Sequence, residues 1–464
     1  MKTARKKTLD LTSGSVTKQL LAFTLPILAS NLLQHLYNAA DKAVVGKFAD
    51  HEPLALGAIG ATGSAITLLL NLFVGLSLGV NVVCANMRGA QKPKELRRAM
   101  HTSILLAAIT GLGAMGLGLA VTEPFLMLMG CKETLMDLAA EYMRIYFVGV
   151  PFSMLYNFGS AILRAHGDTQ RPMFILAISG LVNVALNVVF VVFFRMDVDG
   201  VAWATVISQV VSAVAVIWIL FKENGGFDLE MKEMKLHKRE LIAIARVGIP
   251  CGLNGMVFSI ANVTIQSSVI GLGDTVVMGY SAATGITGLV YQVLAAAYSG
   301  CISFAGQCYG ARKYKRIDKL VGSSILLCSV AMAVLSLLGT VFARPLLRLF
   351  TDDEAAITAG IPQLAITSWS YLLYGVSEVF LGTLRGMRRS GIPTLLNAVC
   401  ICLPRLIWVF IFFPLCETVW FLYLCYPISY VFSSAAQGTY YFLVRRKLMA
   451  QLQQEQRETK PALE

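Results

Sequence analysis

Four polar residues, Asn31, Gln34, Asn38 and Asp41, stand three, four and three positions apart in an otherwise apolar stretch. That spacing puts all four on one face of a helix. In a helix that crosses lipid, an unsatisfied polar group costs several kcal/mol, so such a stripe must look onto protein or water. Asp41 is its sharpest member, because an ionisable side chain inside a membrane span marks a functional site by default. Burial disfavours the charged form of a carboxyl. Such a group can take a proton in one conformation and release it in another, or as a carboxylate help hold a hard cation among oxygens. The competing reading is a solvated Asp41 near the outer surface, paired with Lys42. Adjacent helical residues point about 100° apart, so that pair would not lie along the stripe.

Further candidates sit elsewhere in the chain. Asn183 and Asn187 are four apart, on one face, and Thr205 adds a hydroxyl from the following apolar stretch. Taken singly, each reads as helix–helix hydrogen bonding in a membrane. Glu378 is the one acid deep in the second half, with Tyr371 and Tyr374 on its face. It reads either as a second titratable group or as a partner for Arg385 or Arg405. Glu141 and Arg144, three apart, are expected to pair with each other. Arg164 and Arg385 each precede a proline by eight residues and read as packing and topology markers. Five scattered histidines and ten cysteines without a CxxC give no metal-site pattern.

The elements that must carry these residues follow from composition. The 464 residues are 56% hydrophobic and 14% charged, with mean hydropathy +0.66, against roughly 25% charged for a soluble domain. Apolar runs of about 20 residues, each enough for a span, lie near 17–42, 54–84, 100–121, 137–163, 173–194 and 200–221. Six more lie near 248–270, 277–305, 322–343, 358–384, 393–413 and 419–443. The fold class is therefore an all-α membrane protein with twelve transmembrane helices in two six-helix lobes. The organisation expected is an N-lobe over 1–221, a cytoplasmic linker over 222–247, a C-lobe over 248–443 and a polar cytoplasmic tail over 444–464, disordered from Gln451. The linker carries the Gly225-Gly226 turn and an amphipathic helix from Leu229 to Arg246.

Basic residues set the orientation. Lys2, Arg5, Lys6 and Lys7, then Arg88, Lys92, Lys94, Arg97 and Arg98, then Arg312, Lys313, Lys315, Arg316 and Lys319 fall on the side of the N-terminus. Lys47, Lys132, Arg195, Arg344 and Arg348 lie opposite, among short loops bearing Asp50, Asp197 and Asp352. Both termini are expected in the cytoplasm, in a multi-pass protein of the inner (cell) membrane. No cleavable signal peptide is expected. The net charge of +12 follows from this topology and speaks against a nucleic-acid partner.

The chain also repeats itself. Gly79, Gly89-Ala90, Arg164, Pro172 and Ile207-Ser208 recur 221 positions later as Gly300, Gly310-Ala311, Arg385, Pro393 and Ile428-Ser429. Upstream the offset is 224, so Pro26 answers Pro250 and Asn38 answers Asn262. Six spans per copy is an even number, so the copies enter from the same side and are parallel repeats, a build common in secondary transporters. The polar chemistry is not repeated. Asp41, Asn183, Asn187 and Thr205 answer Ile265, Pro404, Trp408 and Tyr426, and Glu378 answers Asn157.

The run TLPILASNLLQHLYNAADKAVVG, then GLSLGVNVVCANMRGAQ, LRAHGDTQRP, LVNVALN and GVAWATVISQ resembles the multidrug and toxic compound extrusion family, from about Thr24 to Tyr441. FLGTLRGMRRSGIP and Pro404-Arg405 resemble its bacterial branch with the staphylococcal-type multidrug exporters. The resemblance implies two lobes around a central cavity. It implies exchange of external protons or sodium ions for cytosolic drugs, often cationic and amphipathic. Asp41 matches the family's coupling aspartate, and Asn183 and Thr205 match its amino-lobe cation site. Asn187 stands where that site has an aspartate. The acids that sodium-coupled relatives carry in the seventh and tenth helices are missing from the seventh span, and Tyr374 takes the tenth-helix position with Glu378 one turn on. Pro26 matches a proline implicated in bending the first helix.

The function expected is a cation-coupled antiporter, with Asp41, Asn183, Asn187 and Thr205 coupling the ion. Asn31, Gln34, Asn38, Tyr374 and Glu378 are expected to line the substrate cavity. No cofactor is expected, only H+ or Na+ as coupling ion, with sodium at the coupling residues as the one metal considered. The partners are amphipathic small molecules and the bilayer, and the chain is expected to be monomeric. A flippase for lipid-linked saccharides is the alternative. An enzyme would need a nucleophile–base pair or a metal cluster within the spans, and the sequence has neither.

Overall fold

The computed structural model describes residues 8–48, 52–128, 131, 133–222 and 229–459. Lys2, Arg5, Lys6, Lys7, Asp50, Lys132 and the Gly225-Gly226 turn lie outside the described residues. Helices account for nearly everything described, and no strand occurs among the described residues. Twelve helical segments among them are long and apolar enough to cross a membrane.

The first six spans are α1 (Val16–Phe48), α2 (Glu52–Gly89), α3 (Pro93–Leu128), α4 (Glu133–Ala165), α5 (Gln170–Asn187) and α6 (Val198–Lys222). A π-helical turn, Val188–Phe193, extends α5. The second set is α7 (Lys238–Ile270), α8 (Asp274–Gly310), α9 (Tyr314–Val341) with the short α10 (Ala343–Arg348), and α11 (Glu354–Gly386). The eleventh span is broken into α12 (Gly391–Asn397), a π turn (Ala398–Cys402), α13 (Leu403–Ile407) and a second π turn (Trp408–Phe412). Pro404 lies in this stretch and has no N–H to give to the helix ladder. The short α14 (Val419–Tyr423) leads into α15 (Cys425–Thr459).

Two compact units result. The first holds residues up to Asp10 and Phe23–Met256; the second holds Leu11–Ala22 and Val257 onward. Each first helix of a repeat thus changes unit along its length, α1 between Ala22 and Phe23 and α7 between Met256 and Val257.

In the first unit, α2 crosses the early part of α7 with almost no space between backbones. A methyl added at Gly75 would lie 2.2 Å from the Gly252 nitrogen, and one at Gly79 would lie 2.4 Å from the Ile244 carbonyl oxygen. Gly75 and Gly79 on one helix meet Gly248 and Gly252 on the other, small residues four apart on both sides, which is how membrane helices gain van der Waals contact. In the second unit, Arg316 of α9 gathers the segment before α1, donating to the carbonyls of Leu11 (2.8 Å), Gly14 (2.7 Å) and Ser13 (2.6 Å) and to Gln19 Oε1 (2.7 Å).

Three local expectations are corrected. Arg144 pairs with Glu123 at 2.6 Å, across from α3, rather than with Glu141. The segment read as an amphipathic helix from Leu229 contains a 3-10 turn, Met231–Glu233, and then α7 starting at Lys238. Its residues are held to α3, with Glu233 on Arg97 at 3.2 Å and the His237 amide on Thr102 at 3.1 Å. The tail read as disordered is helical to Thr459. Between Val444 and Thr459 it has no Gly or Pro, and Gln, Glu, Arg, Lys, Leu, Met and Ala are good helix formers.

Candidate functional site

Inside the first unit lies a polar cavity of about 170 Å³, lined from α1, α4, α5 and α6, room for several waters or an ion with part of its hydration shell. From α1 come Gln34, Asn38 and Asp41. Gln34 and Asn38 are exposed, whereas Asp41 is 9% exposed. Asn31, the first member of the stripe, is half-buried and is not among the lining residues. Close approach of α1 to α5 depends on Gly180. Any Cβ there would overlap the Tyr37 ring at 1.8 Å, and the Tyr37 hydroxyl donates to the Ala177 carbonyl at 3.1 Å.

Asp41 does not pair with Lys42; its hydrogen-bond partner is Asn187. Asn187 Nδ2 donates to Asp41 Oδ1 at 2.5 Å and approaches Asn183 Oδ1 at 3.4 Å. Asn183 Nδ2 in turn donates to Thr205 Oγ1 at 3.4 Å, and the Thr205 hydroxyl donates to the Val201 carbonyl at 3.0 Å. The four side chains expected to couple an ion therefore form one chain of hydrogen bonds across α1, α5 and α6. Asn187 is the last residue of α5 before the π-helical turn, an irregularity frequent at functional sites. Its Oδ1 is buried and accepts no hydrogen bond. Such an orphan acceptor is costly, and it is a place where a protonated carboxyl or a cation could be received. The oxygens of Asp41, Asn187, Asn183 and Thr205 are of the hard kind that small cations take, with one carboxyl among them.

The walls from α4 and α6 were not singled out in the sequence. Tyr142, Tyr146, Ser153 and Asn157 line the cavity from α4, and Ser208, Gln209 and Ser212 join Thr205 from α6. Tyr142, Tyr146, Ser153 and Asn157 stand four, seven and four apart, and Thr205, Ser208 and Ser212 three and four apart, the same helical periodicity that marks the α1 stripe.

Tyr374 and Glu378 are not among the lining residues of this cavity; they lie in the second unit, in a buried cluster. Tyr374 stacks on Tyr430 with ring centroids 4.4 Å apart and is flanked by Phe258 and Tyr291 at 6.2 Å each. Glu378, 6% exposed, accepts a hydrogen bond from Tyr374 and feels the charge of Arg385. Arg385 itself bonds the Tyr298 hydroxyl and Thr394 Oγ1, the latter at 3.2 Å. At the other end of the cluster Arg405, 1% exposed, donates to Asn262 Oδ1 at 3.2 Å and Ser429 Oγ at 3.3 Å. Its guanidinium carbon lies 4.7 Å from the Tyr426 ring centre, 5.1 Å from Tyr430 and 5.3 Å from Phe258. No His/Cys/Asp/Glu cluster fit for a transition metal occurs among the described residues.

Comparison with known proteins adds the following. The family model described as MatE matches residues 26–189 and again 250–411, one match per repeat. The probable multidrug resistance protein YpnP of Bacillus subtilis is 28% identical over 96% of this chain and 98% of its own length. An FAD transporter of Shewanella oneidensis is 24% identical over 85% of this chain and 88% of its own. Among solved structures, a multidrug resistance MATE family transporter in an outward-facing conformation superposes with TM-score 0.87, covering 97% of this chain and all of the other at 22% identity.

Proposed function

The chain belongs to the MatE family, a family of secondary transporters rather than enzymes, and from that premise we propose that it is a cation-coupled exporter of amphipathic small molecules, drugs among them. The single observation that carries this reading is the buried Asp41 carboxyl, hydrogen-bonded to Asn187 inside a polar cavity of the first unit. An intramembrane carboxyl that alternates between ionised and neutralised forms changes the charge of that cavity. A conformation in which Asp41 is neutralised and one in which it is ionised are then biased oppositely, and an ion gradient drives the exchange. Asn183, Asn187 and Thr205 serve as the oxygen and amide groups that receive the ion beside Asp41, and Gln34 and Asn38 as cavity wall. Relatives named for multidrug resistance support drugs as cargo.

On this reading residues 1–221 and 248–443 carry the two lobes of an alternating-access carrier. The chain works as a monomer in the cell membrane, with both termini in the cytoplasm.

The test is export of a fluorescent cation from proteoliposomes under separately imposed proton and sodium gradients. One of the two gradients should drive export by the wild-type chain, and Asp41→Asn, verified as folded and inserted, should abolish the response to it. Undiminished uphill export by Asp41→Asn would sink the proposal.

A further inference from the structure

The second unit holds a buried cation with no anion. Arg405 forms no ion pair among the described residues, and the groups that perturb it are tyrosines and a cysteine rather than a carboxylate. Glu378, the acid in the same cluster, is engaged by Tyr374 and Arg385. Two of the three guanidinium nitrogens of Arg405 find neutral acceptors, Ser429 and Asn262. The third, Nη2, is buried and makes no hydrogen bond of good geometry, and beyond Ser429 and Asn262 Arg405 has only the Tyr430 hydroxyl as a polar neighbour. A guanidinium offers a planar fork whose geometry matches carboxylate, sulfonate or phosphate oxygens, and here one prong is left over.

The surroundings say what kind of molecule would carry that oxygen. Tyr426, Tyr430 and Phe258 hold the guanidinium by their faces. Phe258 and Tyr280, both near Arg405, remain half-buried, so flat aromatic surface is available beside the charge. The backbone at Arg405 is irregular, a five-residue α segment between two π turns, the kind of distortion that re-aims a side chain at functional positions.

The internal repeat supplies an independent observation. Asn262, Ser429, Tyr426 and Tyr430 answer Asn38, Ser208, Thr205 and Gln209 at offsets of 224 and 221. All four of the latter line the polar cavity of the first unit. The Arg405 side chain therefore sits in the second unit where the first unit keeps its cavity.

We propose that Arg405 and its ring cluster form a binding site for the anionic group of a planar aromatic substrate, so that the transported molecules include aromatic carboxylates, sulfonates or phosphates as well as cations. The proposal rests on the reading of the chain as an exporter of amphipathic small molecules.

The test uses three probes with one ring system and three charges: pyrenesulfonate, pyrenemethanol and pyrenemethylammonium. Equilibrium binding to the detergent-solubilised full chain is followed by pyrene fluorescence anisotropy. The wild-type chain should bind the sulfonate at least tenfold more tightly than the alcohol. Arg405→Gln should erase that ratio while alcohol affinity changes less than twofold, and Arg405→Lys, keeping charge but losing the fork, should retain part of it. A wild-type chain that does not prefer the sulfonate overturns the proposal, as does a preference that survives intact in Arg405→Gln. If Arg405→Gln does not fold, the wild-type ratio and its decrease in Arg405→Lys decide. No ion gradient enters these measurements. Loss of gradient-driven export with the ratio intact therefore strikes the coupling reading alone, and the reverse result strikes this proposal alone.

Discussion

The same stretch of duplicated chain has been built into two opposite environments. In the first unit, Asn38, Thr205, Ser208 and Gln209 surround about 170 Å³ of open space with one carboxyl, Asp41, at its wall. In the second, the residues answering them, Asn262, Tyr426, Ser429 and Tyr430, close around the Arg405 guanidinium. Two changes account for most of the difference. Asp41 gives way to Ile265, fully buried, and small hydroxyl or amide side chains give way to tyrosines that stack on one another. A cavity with a carboxyl in its wall and a ring-filled cluster around a guanidinium can be reached from a common scaffold because the shared glycines and prolines fix the backbone and leave the side chains free to diverge. On the proposed function the first receives an ion that comes and goes; the second carries a charge that never leaves the chain.

The largest contrast expected is between the two acids. Asp41→Asn should reduce gradient-driven export by at least about 100-fold, the loss of roughly 2.7 kcal/mol of coupling. Glu378→Gln should leave export within threefold, because Glu378 stands in the ring-filled unit with Tyr374 and Arg385 as neighbours. Proteoliposome transport at matched protein density measures both. Equal losses would mean that the two units share the coupling task and that their chemical divergence has another cause.

The next contrast lies at the turns that follow the fourth span of each repeat. His166 in the first unit answers Met387 in the second, and both are buried. Burial, then the nearby charge of Arg88, push the His166 imidazole down to about 3, although a hydrogen bond to the Ile162 carbonyl at 2.7 Å and Asp168 act the other way. A histidine held neutral in the folded chain takes up protons more readily when unfolded. Stability from this source is therefore complete above the ordinary value of about 6.5 and is lost as pH falls from there towards 3. By pH 4 the loss reaches about 3 kcal/mol. Hydrogen exchange at the α4–α5 turn should accelerate between pH 6.5 and 4, after correction for intrinsic rates, while the turn around Met387 should not. His166→Met should remove the difference; a turn in His166→Met that stays as acid-labile as before would contradict it.

A tenfold effect is expected from Asn187→Asp. The change places a second carboxyl where Asn187 now donates to Asp41 at 2.5 Å. Two carboxyls that close cannot both ionise without a cation between them. The variant should gain about tenfold in apparent sodium affinity, read from sodium-dependent protection against thermal unfolding. No gain in sodium protection would mean that the cavity geometry, rather than the count of carboxylates, sets ion choice.

Much of the scaffold and part of the site could be read from residue order. Spans are legible because each must satisfy its backbone internally and be apolar for about 20 residues, and the repeat because glycine, arginine and proline marks survive at a fixed offset. Asp41 was visible because a charge in such a run is rare. Asn187 and Asn183 share a face, but that they reach Asp41 and Thr205 depends on how α1, α5 and α6 pack, which spacing within one helix does not contain. The Arg405 cage was hidden for the same reason. Its parts come from α7, α13 and α15, and no single stretch of sequence shows them converging. Arg144 illustrates the converse: Glu141 was near in sequence, yet Glu123 of the neighbouring helix is the partner, since helix surface geometry permits either.

The smallest effect separates the two environments most cleanly, because it removes the same atom from both. Ser208 and Ser429 occupy matched positions 221 apart. The Ser208 hydroxyl donates to the Thr205 carbonyl at 2.8 Å and lines the cavity, where water can take over what it leaves. The Ser429 hydroxyl donates to the Tyr426 carbonyl at 2.9 Å and also accepts from Arg405 Nε at 3.3 Å, with no exposure at all. Ser208→Ala should therefore change stability by less than about 0.5 kcal/mol. Ser429→Ala leaves a charged donor buried without its acceptor, which costs about 1–3 kcal/mol. Thermal unfolding in detergent should place Ser429→Ala a few degrees below wild type and Ser208→Ala alongside it. The opposite order would mean that the first unit's cavity is the rigid, dry site and the second unit's cluster the one water reaches, reversing the contrast between them.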